Sequence, residues 1–419
     1  MSVREEGLTQ AAAVDHLTAE TISDAGLPSW LAERKLADLE TFAELPMPDS
    51  STMEDWRRTD VSHIDPHAYQ PAITDSVPKL APELAEQGVI VTSLEAAATE
   101  HRELVEKYLD HEVVPAGAGK FAALNAAFWR GGAFVYVPRG VAASVPIWAS
   151  HAFDALESPQ AVLPRTLVVV DEGASLIFTD EYASPAGRSG VLSSAVTEVI
   201  LGDGANIQYL VLQQHGDAVD HFAAHRLHLG RDCHAELVVA ATGARLSKTY
   251  MDVAMLGAGS TARISGLIIG QGKQHFDFQS LQDHFAPNCM SDLLVKGALR
   301  DEAVSVYSGL IKIRKDAQHS DAYQANRSLI LSPKAKADSI PKLEIEANDV
   351  RCTHGATMGQ VDPDQLFYLQ SRGFSLDEAQ NTLVHGFFQP VIDRIALEDV
   401  RRQIHETIDE ALTGLEAAV

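Results

Sequence analysis

Two residues near the end of the chain have the types and spacing of a metal half-site. In Asn348-Asp349-Val350-Arg351-Cys352-Thr353-His354-Gly355-Ala356-Thr357, a thiol and an imidazole stand two positions apart. On a strand, side chains alternate faces, so Cys352 and His354 share one face and Thr353 takes the other. A thiolate beside an imidazole suits zinc or iron, but two ligands leave the coordination shell incomplete. The same pair also fits a plain core contact, because cysteine is among the residue types most often buried.

Other chemistry-bearing runs fall short of the full requirements of the motifs they suggest. Gly117-Ala118-Gly119-Lys120-Phe121 resembles a phosphate loop, yet Val114 stands where the first glycine belongs and Phe121 where Ser or Thr would bind magnesium. ATP hydrolysis by this chain is therefore not expected. His215, His221, His225, His228 and His234 crowd one segment that alternates like strand. It has no His-Glu-x-x-His, and no Pro-Cys-x-x-Cys follows His234-Ala235-Glu236, so the segment reads as a polar face of the fold. Asp277, Asp283 and Asp292 would serve a carboxylate-pair glycosidase only if folding brought two of them together. No Gly-x-Ser-x-Gly elbow is present.

The elements that would position these groups change character along the chain. Residues 1–130 read as a helical region: Ser29 caps a helix carrying Leu36, Leu39 and Phe42, a second runs from Leu94 to Tyr108, and a short one covers Lys120 to Phe128. Residues 131–361 alternate short β-rich runs with turns in which Gly or Asp precedes a small residue. Alanines 174, 205, 235 and 262 recur at intervals of 31, 30 and 27, and turns near Asp301, Asp316, Lys334 and Asp349 at 15, 18 and 15. Such half-repeats predict a coiled β-solenoid, with a sandwich as the competing arrangement. Its ends need covering, and the flanking helical regions are the expected caps. Residues 362–419 return to helix. Asp362-Pro363 and Ser375-Leu376-Asp377-Glu378 are N-terminal signatures, Gly373 is a stop, and Leu397, Val400, Ile404, Ile408, Leu412 and Leu415 form a stripe expected to pack internally.

Composition narrows the partners. Among 419 residues, 33 basic against 58 acidic ones give a net charge of −25, which disfavours nucleic acid and anionic membrane. Cys233, Cys289 and Cys352 are too dispersed for a disulfide framework and suit a reducing compartment. Met1 to Leu8 has no apolar secretory core, and no apolar run reaches the roughly 18–20 residues of a membrane helix. A cytoplasmic protein is the expectation.

Several runs together resemble a known family. Asp277-Phe278-Gln279-Ser280-Leu281-Gln282-Asp283-His284, Ser305-Val306-Tyr307-Ser308-Gly309, Asp321-Ala322-Tyr323-Gln324, Ala337-Asp338-Ser339-Ile340-Pro341 and Cys352-Thr353-His354-Gly355-Ala356-Thr357 are similar to the SufB/SufD family of iron–sulfur cluster assembly proteins. Trp56-Arg57-Arg58-Thr59 and Asp364-Gln365-Leu366-Phe367-Tyr368-Leu369-Gln370-Ser371-Arg372-Gly373 extend the likeness across about residues 56–388. The resemblance implies a right-handed parallel β-helix between helical regions. It also implies a non-catalytic scaffold that pairs with a SufB-like paralogue, binds a SufC-like ABC ATPase through its C-terminal helices, and forms a homodimer in isolation. SufB-like members carry His-Glu-Ala-Thr and a cysteine after the matching Gln. Here the residues are His354-Gly355-Ala356-Thr357 and, after Gln324, Ala325-Asn326-Arg327, which favours the SufD branch. The implied site is a transient iron–sulfur cluster or iron at the paralogue interface, with His354 its ligand and Cys352 the neighbouring candidate. Whether a flavin binds the assembled complex is left open. A β-helix acting on polysaccharide, or a purely architectural partner, are the competing functions.

Overall fold

A turn that repeats in every rung builds this molecule. The computed structural model describes residues 16–73, 77–109, 111–153, 159–186 and 190–412. Gly173, Gly204, Asp232, Gly259, Asn288 and His319 all have positive φ, between 54 and 75°. Glycine adopts that conformation freely, and Asp, Asn and His are the residues enriched there after it. Each is followed by a small buried residue: Ala174, Ala205, Cys233, Ser260, Cys289 and Ser320. The carbonyl of each of these six accepts the amide that opens the strand one rung above, giving rung lengths of 31, 28, 27, 29 and 31 residues between them. The Gly/Asp-then-small signature is thus the corner of a solenoid. The alanine spacing, however, joins two columns: Ala235 pairs with Ile207 and Ala262, two residues beyond the corner.

Two parallel sheets form the walls. One contains β1 (Ala133–Val137), β3 (Arg165–Val170), β5 (Val191–Leu201), β7 (Val219–Leu229), β9 (Leu246–Met255), β11 (His275–His284), β13 (Val304–Ile313) and β15 (Lys336–Ile345). The other contains β2 (Ile147–Ser150), β4 (Ser175–Ala183), β6 (Asn206–Gln214), β8 (His234–Ala241), β10 (Thr261–Gly270), β12 (Met290–Leu299), β14 (Asp321–Ile330) and β16 (Arg351–Gln360). The chain is therefore mainly β, a parallel solenoid of about eight turns flanked by helices. Every residue of β5 is buried, as expected of a β-branched strand covered on both faces.

The helices do not sit where the sequence suggested. α1 (Ser29–Glu44) and α2 (Lys120–Phe128) belong to clusters on the outer face of the odd-numbered sheet, against Leu192 and Phe222. Ser29 is the first helical residue of α1, after Pro28, and the Leu94–Tyr108 helix breaks at His101 into two. α3 (Pro363–Ser371) and α4 (Leu376–Ile392) begin at the expected caps, with Asp362 accepting from the Asp364 amide and Ser375 forming a reciprocal pair with Glu378. α4 and α5 (Glu398–Leu412) lie on the outer face of the even-numbered sheet, where Phe388, Ile404 and Ile408 meet Leu210, Val238 and Leu267. The stripe does pack internally; Leu415 lies outside the described residues, as do Met1 to Leu8. Among the described residues, a short antiparallel strand (Ile90–Ser93) with Leu84 and Val89 closes the first rung. The expectation that the C-terminal helices cap the far end is wrong, because their apolar stripes find a larger surface on the sheet face.

The solenoid interior is mainly apolar but holds an enclosed polar network around one carboxylate. Asp180, fully buried, accepts hydrogen bonds from Tyr209 (2.6 Å), Thr197 (2.8 Å) and His151 (3.1 Å). Burial opposes its charge, but these donors and the nearby imidazoles hold its carboxyl below the usual range. His225 contacts the Tyr209 hydroxyl at 2.7 Å, His221 the Ser193 hydroxyl at 2.9 Å, and His215 the Ser184 hydroxyl at 3.3 Å. The reading of this histidine run as a polar face is corrected for these three, which point into the core.

A second buried charge pair pins the N-terminal segment to the barrel wall. Lys248 ion-pairs with Asp277, donates to the Asp55 carbonyl (2.9 Å) and lies over the Trp56 ring (4.5 Å), while Thr59 donates to Asp277 (2.6 Å). Replacing Lys248 by methionine leaves a buried carboxylate unpaired, so we expect a loss of about 3–5 kcal/mol, read from the denaturant midpoint. A midpoint unchanged within error would show that Asp277 is adequately held by Thr59 and Gln279 alone.

Candidate functional site at the open end of the solenoid

After β16 the chain turns away at Asp362-Pro363, and among the described residues no rung covers the last one. Register places Cys352 above Ala322 and His354 above Gln324. Ala322 and Gln324 are buried inward residues, so the thiol and imidazole continue two columns of the interior and end them. The sequence-derived shared face is therefore the inner one, laid open at the end of the molecule. Cys352 is half-buried against Ile311, Ile313, Ala317 and Ala347, and that burial, aided by Asp321, pushes its thiol up to about 11. His354 is exposed and makes no hydrogen bond or ion pair among the described residues.

Below the imidazole lies a fixed polar stack. Tyr307 donates to the Gln324 side chain (3.2 Å) and meets the Ser280 hydroxyl (3.0 Å), and Gln324 donates to the Gly309 carbonyl (3.3 Å). A Cβ at Gly309 would collide with both Tyr307 and Gln324, so the network needs glycine there. Around it the unfinished core shows as exposed Leu343 (37%), Ile345 (44%) and Met358 (50%). Core side chains that end in water form an exposed apolar edge of the kind interaction surfaces carry.

Among the described residues, no three His, Cys, Asp or Glu side chains converge as a metal-holding set. A thiol and an imidazole supply half a shell at most, consistent with ligation completed from outside the chain. The other candidates separate. Asp277 is neutralised by Lys248, Asp283 by a two-point contact with Arg314 (2.9 Å each), and Asp292 by Arg394 (2.8 Å). Asp277 and Asp283 lie six residues apart on β11, roughly 20 Å, well beyond the span of a glycosidase pair. Lys120 of the loop-like motif donates to the Phe42 (2.6 Å) and Leu45 (2.9 Å) carbonyls, capping α1 rather than holding phosphate.

One surface escaped the sequence reading. α3 buries none of its side chains, and Phe367 (73%), Tyr368 (55%) and, just beyond the helix, Phe374 (41%) are exposed. Consecutive apolar residues in Leu366-Phe367-Tyr368-Leu369, too many for a single stripe, were the available signal. No helix among the described residues is long and apolar enough to cross a membrane.

Comparison with known proteins matches residues 152–387 to the SufBD core domain of the SUF system for iron–sulfur cluster assembly, and residues 73–148 to the SufBD N-terminal region. The chain is 30% identical over 414 residues to the iron–sulfur cluster assembly protein SufD of Bacillus subtilis (strain 168), covering 91% of this chain and 94% of that one. It is 27% identical over 430 residues to a SufBD family protein of Staphylococcus aureus (strain USA300), covering 94% and 91%.

Proposed function

Because the chain belongs to the SufBD family of iron–sulfur cluster assembly proteins, we propose that it is a non-catalytic, SufD-like scaffold subunit of a cytoplasmic SufBCD-type complex. The observation that carries this reading is the exposed imidazole of His354 at an uncovered solenoid end. A SufB-like paralogue docks on that end, burying Leu343, Ile345 and Met358, and supplies the ligands that His354 lacks. The cluster, or the iron destined for it, is cargo: a mixed shell divided between two chains holds it loosely enough to release. The test is iron and acid-labile sulfide in the co-expressed complex, with and without the His354 ring.

A SufC-like ATPase binds the C-terminal helices, for which the exposed aromatic side of α3 is the support. Truncating Phe367 and Tyr368 to alanine is expected to weaken ATPase binding by about 30-fold or more, since central interface aromatics commonly contribute about 2 kcal/mol or more. Calorimetric titration of the ATPase into the chain reads this directly; an unaltered Kd would move the docking surface elsewhere.

A further inference from the structure

The two helices on the even-numbered sheet are joined by imidazoles that meet nitrogen to nitrogen. His385 of α4 and His405 of α5 bring their Nδ1 atoms to 2.9 Å, with ring centroids 5.0 Å apart. On its other edge, His385 Nε2 contacts the Asp409 carboxylate at 2.8 Å, and the Asn381 side-chain amide donates to the same oxygen at 2.9 Å. Asn381 and His385 hold the Asp409 carboxyl below the usual range, so it is an anion at neutral and mildly acid pH. A carboxylate only accepts, so His385 Nε2 carries a hydrogen. Neutral His385 then presents a lone pair at Nδ1, and His405 must donate to it from its own Nδ1. One added proton fits this arrangement, because His405 Nε2 takes it and the hydrogen between the rings stays in place, now charge-assisted. A second added proton does not fit. It puts a hydrogen on both facing nitrogens and sets two imidazolium cations against each other.

We infer that His385 and His405 form a proton-counting latch between α4 and α5, closed with no or one added proton and released by the second. The latch does not depend on the partner reading of the open solenoid end. The neighbouring elements bring up few other charges. Glu398, at the start of α5, acts favourably on charged His405, as Asp409 does. From the sheet beneath, Lys296 donates to the Phe387 carbonyl and Arg300 to the Ala411 carbonyl (2.6 Å). Burial holds the Lys296 amine down to about 8, so both are cations below neutral pH and neither takes up a proton in the range that matters. The sign follows from the count. Burial and the facing His385 hold His405 below its ordinary value. A released helix pair binds two protons where the closed one binds one. Closure is therefore complete above a pH of about 6.5 and weakens as pH falls.

Hydrogen exchange of the full chain, read by mass spectrometry on peptides from α5 and corrected for the intrinsic pH dependence of exchange, tests this. Between pH 7.5 and 5.5, the opening constant of α5 should rise about 10-fold more in wild type than in His405→Gln. Glutamine keeps both a donor and an acceptor opposite His385, so the contact survives while the second titrating group is gone. Acid loosening of the solenoid core is common to the two proteins and cancels in the comparison. Asp409→Asn removes the anion that favours the first added proton, so both protons now oppose closure. Its opening constant should rise more than that of wild type, and from a pH nearer neutral. A smaller rise in His405→Gln with a larger one in Asp409→Asn supports the latch. Equal rises in wild type and His405→Gln, or a smaller rise in Asp409→Asn, overturn it.

Discussion

Replacing His354 by alanine is expected to bring the iron and acid-labile sulfide recovered with the co-expressed complex down to background, with subunit stoichiometry unchanged. The two halves of this expectation have separate physical grounds. The ring is exposed and makes no hydrogen bond or ion pair among the described residues, so its removal should change stability by no more than about 0.5 kcal/mol. Loss of cluster would then be a loss of ligation. Cys352 offers a poorer ligand before docking. With its thiol pushed up to about 11, the thiolate fraction at neutral pH is on the order of one in ten thousand. The imidazole needs no such ionisation, which is why His354 rather than its neighbour bears the prediction. Metal analysis of purified complex, with gel filtration confirming assembly, is the measurement. Full cluster content in the alanine variant would leave the chain an architectural partner only.

The parts of this molecule that sequence made legible are those decided within a few residues. The corner of each rung is local: a left-handed position followed by a small buried one reads directly as Gly173-Ala174, Gly204-Ala205 or Asp232-Cys233. The caps at Asp362 and Ser375 are local too, and both form as written. That Cys352 and His354 share a face follows from alternation alone. What alternation cannot say is which face is inside. His221 and His225 are two of a histidine-rich run that would suit an outer polar strand, but their partners Ser193 and Tyr209 come from other strands, and only the coil brings them together. The resting place of α5 was hidden for a related reason. Its stripe of Val400, Ile404 and Ile408 requires an apolar surface, and an end cap or a sheet face would satisfy it equally. The exposure of His354 is the most global property of all, since it depends on no further rung lying over β16 among the described residues.

Acid should unfold this protein steeply, and the buried imidazoles set where. Burial holds His215 down to about 3 and His225 and His284 down to about 4, and drives His221 well below its ordinary value of 6.5. A histidine whose folded-state pKa is depressed is neutral in both states above pH 6.5, where its contribution to stability is complete. Below that, the unfolded chain takes up protons that the folded one refuses, so stability falls as pH falls, until the folded pKa is reached. At pH 5.5 each such group forfeits about 1.4 kcal/mol, and four together roughly 5–6, a large share of a typical total of about 5–15 kcal/mol. Asp180 acts in the same direction: its depressed carboxyl contributes stability that is lost as it is protonated. Tryptophan fluorescence and far-ultraviolet circular dichroism across pH 7 to 4 should therefore show cooperative unfolding beginning between about pH 6 and 5. Substituting His284, whose Nε2 contacts only the Ser291 hydroxyl (2.8 Å), by glutamine should flatten the slope by up to one proton. Stability that stays level from pH 6.5 down to 4.5 would mean that these rings are protonated in the folded core, and the enclosed network around Asp180 would then have to carry that positive charge.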